Sequence, residues 1–309
     1  LPLRHPPARA APWARLWPGR GEVLEMPVSQ CWRTLGALLV LCLASLEVEW
    51  LPAYLEKRQL ETLVFDDSKD VALVFSMAKV SSTSLWVAIA ANLELWAYYE
   101  GFNETYESIS KTHATAIAED FLRKAPEGKR IWVFTAVRNP FARMVSTYFE
   151  DIEMERHLGN LTHEQILAMN MTDMESDFMN NWYNWDLTDT WFSKTFKGLV
   201  GVDLTQHKFP YESGRLVVQG HAFGKPLVVV LLRAEEVTVW WDIMRHNVPG
   251  WVGVHKQDAK ELWYGPKYEE FKRNFLWPAW TVEEVLKGDS LRFYTIAERA
   301  KFCHAALDG

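Results

Sequence analysis

The chain has 309 residues, 49% of them hydrophobic, which is enough to bury a full core in one α/β domain. Its formal net charge of −7 excludes a general nucleic-acid binder, so any anion site must be a local pocket in an acidic protein. The cysteines, Cys31, Cys42 and Cys303, give neither a disulfide framework nor zinc-ligand spacing.

Residues 1–25 are rich in Pro, Arg and Ala without useful periodicity and read as a disordered leader, with Met26 the better start. Residues 26–50 carry Arg33 followed by the apolar run Thr34 to Leu46. That length suits the core of a signal peptide; a short Golgi-type signal anchor, holding the protein to the membrane, is the alternative. Glycosylation sequons at Asn103, Asn160 and Asn170 agree with a secretory-pathway glycoprotein, Golgi-bound and lumenal if the segment stays, secreted if it is cleaved. Residues 51–309 then form a single domain, entered by a helix over Tyr54 to Leu60.

Val71 to Phe75 is an apolar run too short for a buried helix, and it predicts a strand covered on both faces. From Ser82 the apolar residues Leu85, Ile89, Leu93 and Trp96 recur near the helical period, which predicts an amphipathic helix. Between them lies a loop with one cation, Lys79, and several hydroxyls. The helix start aims unpaired N–H groups and a positive dipole into the space before it, an arrangement suited to phosphate or sulfate. The loop has no glycine, so it is not the ordinary P-loop. Serine and threonine also cap helices with no ligand present, and that reading stands beside the anion one.

Glu100 to Ser110 is polar and aromatic, and Lys111 to Thr115, with His113 at its centre, is followed by a helical stretch through Leu122. After the turn at Pro126 to Lys129, Ile131 to Val137 predicts a second buried strand. Pro140 then starts a helix, with Phe141, Val145, Tyr148 and Ile152 toward the core and Arg143, Ser146 and Glu150 opposite. Arg138 thus stands at the carboxyl end of a strand, where open α/β sheets bind ligands. Its guanidinium and the Ser146 hydroxyl are of the kind that hold a phosphate dianion; a surface salt bridge and a solvated serine are the alternative.

Glu153 to Ser176 is polar and methionine-rich, helical with a mobile connection. Trp182, Tyr183, Trp185 and Trp191, interleaved with Asn180, Asn181, Asn184 and Asp186, suit either sugar rings or core packing. Leu227 to Leu232 is a third strand, followed by a turn at Arg233 to Glu236 and a helix over Thr238 to Met244. His255 to Lys272 reads as a solvated helix face, with closure over a nucleotide the alternative, and Ser290 to Phe302 as a closing helix. The predicted architecture is a three-layer α/β sandwich with a mostly parallel central sheet.

The run Lys79, Ser81, Ser82, Thr83, Ser84 and Leu85 resembles the 5′-phosphosulfate loop of sulfotransferases that use 3′-phosphoadenosine-5′-phosphosulfate (PAPS). Arg138, Asn139, Pro140, Arg143, Ser146 and Tyr148 resemble the 3′-phosphate motif of Golgi-type carbohydrate sulfotransferases. Trp191 to Phe196, Gly201 to Asp203, Phe209-Pro210, Leu231 to Glu236 and Arg292 to Thr295 resemble sulfotransferase-like proteins labelled as capsular polysaccharide synthesis proteins. The likeness runs from about Val71 to the C-terminus.

The resemblance implies a P-loop-NTPase-like sulfotransferase fold and transfer of a sulfo group from PAPS to a carbohydrate hydroxyl on a glycan or polysaccharide, with no metal. It implies that Lys79 faces the bridging oxygen, that Ser81, Ser82, Thr83 and Ser84 cradle the phosphosulfate, and that Arg138 and Ser146 grip the 3′-phosphate. Related uronyl 2-O-sulfotransferases place a catalytic histidine where His113 stands, which implies His113 as base; other relatives use a glutamate, so Glu94 and Glu100 compete with it. A nucleotide kinase of the same strand-loop-helix plan and a non-catalytic, membrane-tethered glycan-binding protein are the other two readings. The missing Gly-Lys-Ser/Thr ending counts against the kinase.

Overall fold

The structure, a computed structural model, describes residues 63–92, 109–154, 156–181, 189–251, 253 and 259–308, all within one compact unit. The leader, the apolar run, the helix expected over Tyr54 to Leu60, Glu94, Glu100, Asn103 and the rings of Trp182, Tyr183 and Trp185 lie outside these residues.

The sheet has strands β1 (Asp70–Phe75), β2 (Ile109–Thr112), β3 (Arg130–Val137), β4 (Arg215–Ala222) and β5 (Lys225–Arg233) in the order β2-β1-β3-β5-β4. The first four of that order run parallel, and β4 pairs antiparallel with β5. Every residue of β1 is buried, as is β3 from Ile131 onward. Because successive side chains alternate between faces, both faces of the sheet are covered, which gives the three layers expected from its apolar runs.

The helices are α1 (Ser82–Asn92), α2 (Thr115–Lys124), α3 (Pro140–Glu153), α4 (His163–Ala168), α5 (Met171–Asn181), α6 (Lys197–Val200), α7 (Trp240–Met244), α8 (Gly265–Asn274), α9 (Ala279–Val285) and α10 (Ile296–Asp308). Thr238 to Met244 and Ser290 to Phe302, each expected as one helix, are instead divided: a 3-10 turn over Ala234–Val239 leads into α7, and another over Asp289–Phe293 precedes α10. Among the described residues no helix is long and apolar enough to cross a membrane.

Helix α1 departs from its predicted amphipathic form. Ser82 to Ile89 are all buried, so this stretch is covered all round rather than along one stripe. Helix α3 departs in the same sense: the side opposite the core holds Arg143 and Ser146 at only 9% and 5% exposure. Ser146 and Glu150 on that side line a cavity instead of facing bulk solvent. The core side of α3 carries Tyr148, fully buried, whose hydroxyl donates to Asp177 on α5 at 2.7 Å. Phe178, Phe271, Phe275 and Trp277 extend that contact edge-to-face across α5 and α8.

Strands β2 and β4 were not foreseen. β2 is short and polar, and β4 alternates, burying Leu216, Val218 and Ala222. A two-residue turn joins β4 to β5, with Phe223 at φ 51° and Gly224 at φ 78°, the left-handed pair of a tight hairpin.

The order places a topological switch at the carboxyl ends of β1 and β3, since β1 leads to β2 on one side while β3 is followed by β5 on the other. The opposite, amino ends are clamped by Asp70. Its fully buried carboxylate accepts from Arg130 Nε and Nη2 at 2.9 and 2.7 Å, Trp132 Nε1 at 3.0 Å and the Asp66 N–H at 2.8 Å. Asp70→Ala strands the buried indole N–H and is expected to cost about 3 kcal/mol, read as a lowered urea midpoint; an unchanged midpoint would show the clamp to be dispensable.

Candidate functional site

The carboxyl ends of all four parallel strands open onto one cavity of about 980 Å³. The loop after β1 contributes Lys79, Ser81 and Ser82, the end of β2 contributes Thr112, with His113 just beyond it, and the residues after β3 and β5 contribute Arg138 and Asn139, and Ala234 and Glu235. Helix α3 adds Ser146 and Glu150.

The loop after β1 reaches this geometry through two left-handed residues, Lys79 at φ 61° and Ser81 at φ 64°. Neither is glycine, so the conformation costs on the order of 1–2 kcal/mol for each. A tertiary contact holds it: Arg138 Nη1 donates to the Lys79 carbonyl at 3.1 Å. Helix α1 then begins with the Leu85 N–H on the Ser81 carbonyl at 3.1 Å, so that Ser82 and Thr83 fall in the first turn, where N–H groups point out of the helix end toward the cavity both residues line. No acidic residue sits in that turn. The positive end of the helix is therefore uncompensated by its own sequence.

Thr83 is met by a β2 residue and Ser82 by the residue just after β2. Lys111 Nζ donates to Thr83 Oγ1 at 2.8 Å, and Ser82 Oγ lies 3.4 Å from His113 Nε2. His113 Nδ1 lies 2.6 Å from the Ser76 carbonyl, which can only accept, so Nδ1 carries the proton and the Nε2 lone pair is turned toward Ser82 and the cradle. Both ring nitrogens pack against the loop after β1, while the residue as a whole stays exposed on the cavity wall. Desolvation on the packed side holds its pKa below the usual histidine value, Lys111 and Lys79 push the same way, and the Ser76 carbonyl and Glu150 oppose them.

The expected residues Lys79, Ser81, Ser82, Thr83, His113, Arg138 and Ser146 all line the cavity. Ser84 is fully buried and is not part of its wall, nor is Arg143. Asn160 and Asn170 are exposed, and Asn170 uses its side-chain oxygen to cap α5 at the Asp173 N–H, 2.9 Å away. Trp191 packs on Phe75 with ring centroids 5.2 Å apart, on the core side of its two readings. The segment expected as a solvated helix face instead walls the cavity with Lys260, Tyr264, Tyr268, Glu269 and Lys272, and Tyr264, Tyr268 and Lys267 are buried.

Two charged residues escaped the sequence reading. Lys111 lies two residues before His113 in a stretch too short and polar to show a period, and the helical period sets Glu150 opposite the core of α3 without saying what it meets there. In the structure Glu150 pairs with Lys79 at 3.2 Å. Lys111 is held down to a pKa of about 8, mainly by desolvation, with Lys79 lowering it further and Glu150 opposing. The signal available was the helical step of four from Ser146 to Glu150, which puts both on one face. Among the described residues no group of three or more His, Cys, Asp or Glu side chains is placed to hold a metal ion.

Lys111 is expected to react with an amine acylating reagent with a midpoint near pH 8, far below solvent-exposed lysines at about 10.4. Mass-spectrometric labelling across pH checks this, and a midpoint above 10 would mean that the β2 end is far wetter than the packing indicates.

Comparison with protein-family models, with curated proteins and with solved structures returns no match for the chain.

Proposed function

We propose that the chain is a PAPS-dependent sulfotransferase that transfers a sulfo group to a carbohydrate hydroxyl, on a sulfotransferase form of the P-loop-like α/β fold. The observation that carries the proposal is the meeting of two strand tips: Arg138 Nη1 bonds the Lys79 carbonyl at 3.1 Å, and both residues line one cavity with Ser146. An anion in the α1 cradle and a second one between Arg138 and Ser146 fit the two charged ends of a single nucleotide. PAPS has those ends, a 5′-phosphosulfate and a 3′-phosphate. The cavity, at about 980 Å³, has room for a nucleotide beside a sugar ring.

In this scheme the acceptor oxygen attacks sulfur in line as the sulfur–oxygen bond to the 5′-phosphate breaks. Lys79 and the first-turn N–H groups of α1 stabilise the negative charge growing on the departing phosphate. His113 Nε2 takes the hydroxyl proton, and its lowered pKa keeps the ring neutral and ready near pH 7. The products are a sulfate ester and 3′-phosphoadenosine-5′-phosphate (PAP), with the proton left on His113. With the apolar run of residues 34–46 retained, the domain would work on glycans from the Golgi membrane; with it cleaved, as a secreted protein.

The kinase alternative asks for carboxylates that are free to hold Mg²⁺ beside the phosphates. Glu235, at the end of β5, is held by the Asn139 N–H at 2.6 Å and the Tyr294 hydroxyl at 2.8 Å, which takes up the carboxylate that follows a strand. That, with the missing Gly-Lys-Ser/Thr ending, favours the sulfotransferase.

Calorimetry should show PAP bound in preference to ATP with Mg²⁺, and the reverse order would support the kinase. Arg138→Ala is expected to weaken PAP about 10- to 100-fold and, because the guanidinium also pins the Lys79 loop, to weaken an analogue that lacks the 3′-phosphate by a smaller factor; equal weakening of both removes Arg138 from the 3′-phosphate role.

His113→Ala should keep PAP affinity and lower sulfo transfer by about 10²–10⁴. The wild-type rate should fall on the acid side with a pKa below 6.5, since protonated His113 has no lone pair to offer. A fully active His113→Ala variant assigns the base elsewhere, and a wild-type chain that binds PAP but transfers nothing to any glycan supports the non-catalytic reading.

A further inference from the structure

Glu150 stands where a carboxylate is costly to an anion site. It lies one helical turn beyond Ser146 on α3, and both side chains reach the same cavity. Its Oε1 meets Lys79 Nζ at 3.2 Å, with 25% of the Glu150 side chain and 18% of the Lys79 side chain exposed. The Lys79 ammonium is thus partly withdrawn from water and already has a negative partner. Any phosphate or sulfo oxygen that uses Lys79 must compete with that carboxylate, or push it aside against its own charge.

We infer that Glu150 is a built-in counter-anion of the loop, one that sets a charge threshold for the ligands that gain Lys79. A sulfate or single phosphate offers too little to replace a tethered carboxylate whose binding entropy is already spent on the fold. An extended polyanion that also reaches the α1 N–H groups and Arg138 gains several charge-assisted bonds at once and displaces it. The same contact keeps the ammonium aimed into the cleft when no ligand is present, because Lys79 has a long, mobile side chain on a left-handed backbone. Glu150 therefore acts through Lys79, as a specificity and positioning residue. This deepens the anion-site reading above and rests on it.

Other charges face the pair. Lys111 and His113 come from the end of β2, and Glu153 lies on α3 three residues further along and also lines the cavity. Glu153 offers the control: it has the same charge and is exposed, while among the described residues the carboxylate paired with Lys79 is that of Glu150.

The test titrates the full chain, Glu150→Gln and Glu153→Gln with sulfate, inorganic pyrophosphate and PAP, by calorimetry, with a thermal melt to confirm folding. Glu150→Gln is nearly isosteric, and Glu150→Asp, which keeps the charge but retracts it from Lys79, serves if the first variant unfolds. Either change is expected to tighten sulfate and pyrophosphate about fivefold and to narrow the preference for PAP over sulfate, while Glu153→Gln leaves both nearly unchanged.

If PAP binds the wild type but Glu150→Gln binds the small anions no better, or only as Glu153→Gln does, the counter-anion role is overturned and the sulfotransferase reading survives. If PAP fails to bind while Glu150→Gln still tightens pyrophosphate, the nucleotide reading falls and the counter-anion role stands. Failure of every variant to bind any of the three overturns both.

Discussion

The contact between the Arg138 guanidinium and the Lys79 carbonyl organises the rest of the site. A loop with left-handed Lys79 and Ser81 does not hold its shape from local preference, because a side chain there crowds its own backbone. It persists when the surroundings over-determine it. Arg138 supplies one such constraint from a different strand, and it does so with a charged group that also lines the cavity. Shape of the cradle and position of the second cation are thereby set by one interaction.

That interaction is possible because of the strand order. With β1 beside β3 in the sheet, the residues after Phe75 and after Val137 emerge next to each other, and the chain leaves them in opposite directions. The gap opens at the switch, and β2 and β5 flank it with His113 and Glu235. The platform beneath is stiff: Trp132 and Phe134 stack 5.9 Å apart within β3, and Asp70 pins the far end of the same strands. Helix α1, buried over Ser82 to Ile89, cannot move without opening the core.

How much of this could be read in the sequence depended on whether a residue's role was local. The strands near Val71 to Phe75, Ile131 to Val137 and Leu227 to Leu232 are buried on both faces, so their composition alone marks them. β2 is a four-residue polar edge, and its pairing with β1 comes from the sheet rather than from propensity. Lys79, Arg138 and Ser146 were visible because strand ends and helix starts advertise themselves through short residue patterns. Glu150 and Lys111 were not, since each matters only through a partner far away in the chain: Glu150 through Lys79, and Lys111 through Thr83. Periodicity correctly put Glu150 opposite the core of α3, but it could not tell solvent from a cleft. The same limit applied to α8, whose charged sequence looked solvated while Tyr268 and Lys267 turned out buried.

The electrostatic setting explains why close contacts must do the selecting. A chain of net charge −7 does not draw anions toward itself over long distances, and at physiological salt such fields fade within roughly 8 Å. Attraction begins only inside the cavity, where Lys79, Arg138 and Lys111 converge and water is thinned. There the same low polarity that strengthens each bond to a ligand also disfavours the charged form of each cation, and desolvation lowers the pKa of Lys111 in this way. Glu150 offsets that penalty at Lys79 while no ligand is bound. On the reading proposed above, an arriving polyanion would take over that role and restore favourable surroundings to Lys111 as well. Burial would thus make the same cation cluster costly to keep charged and discriminating toward what fills it.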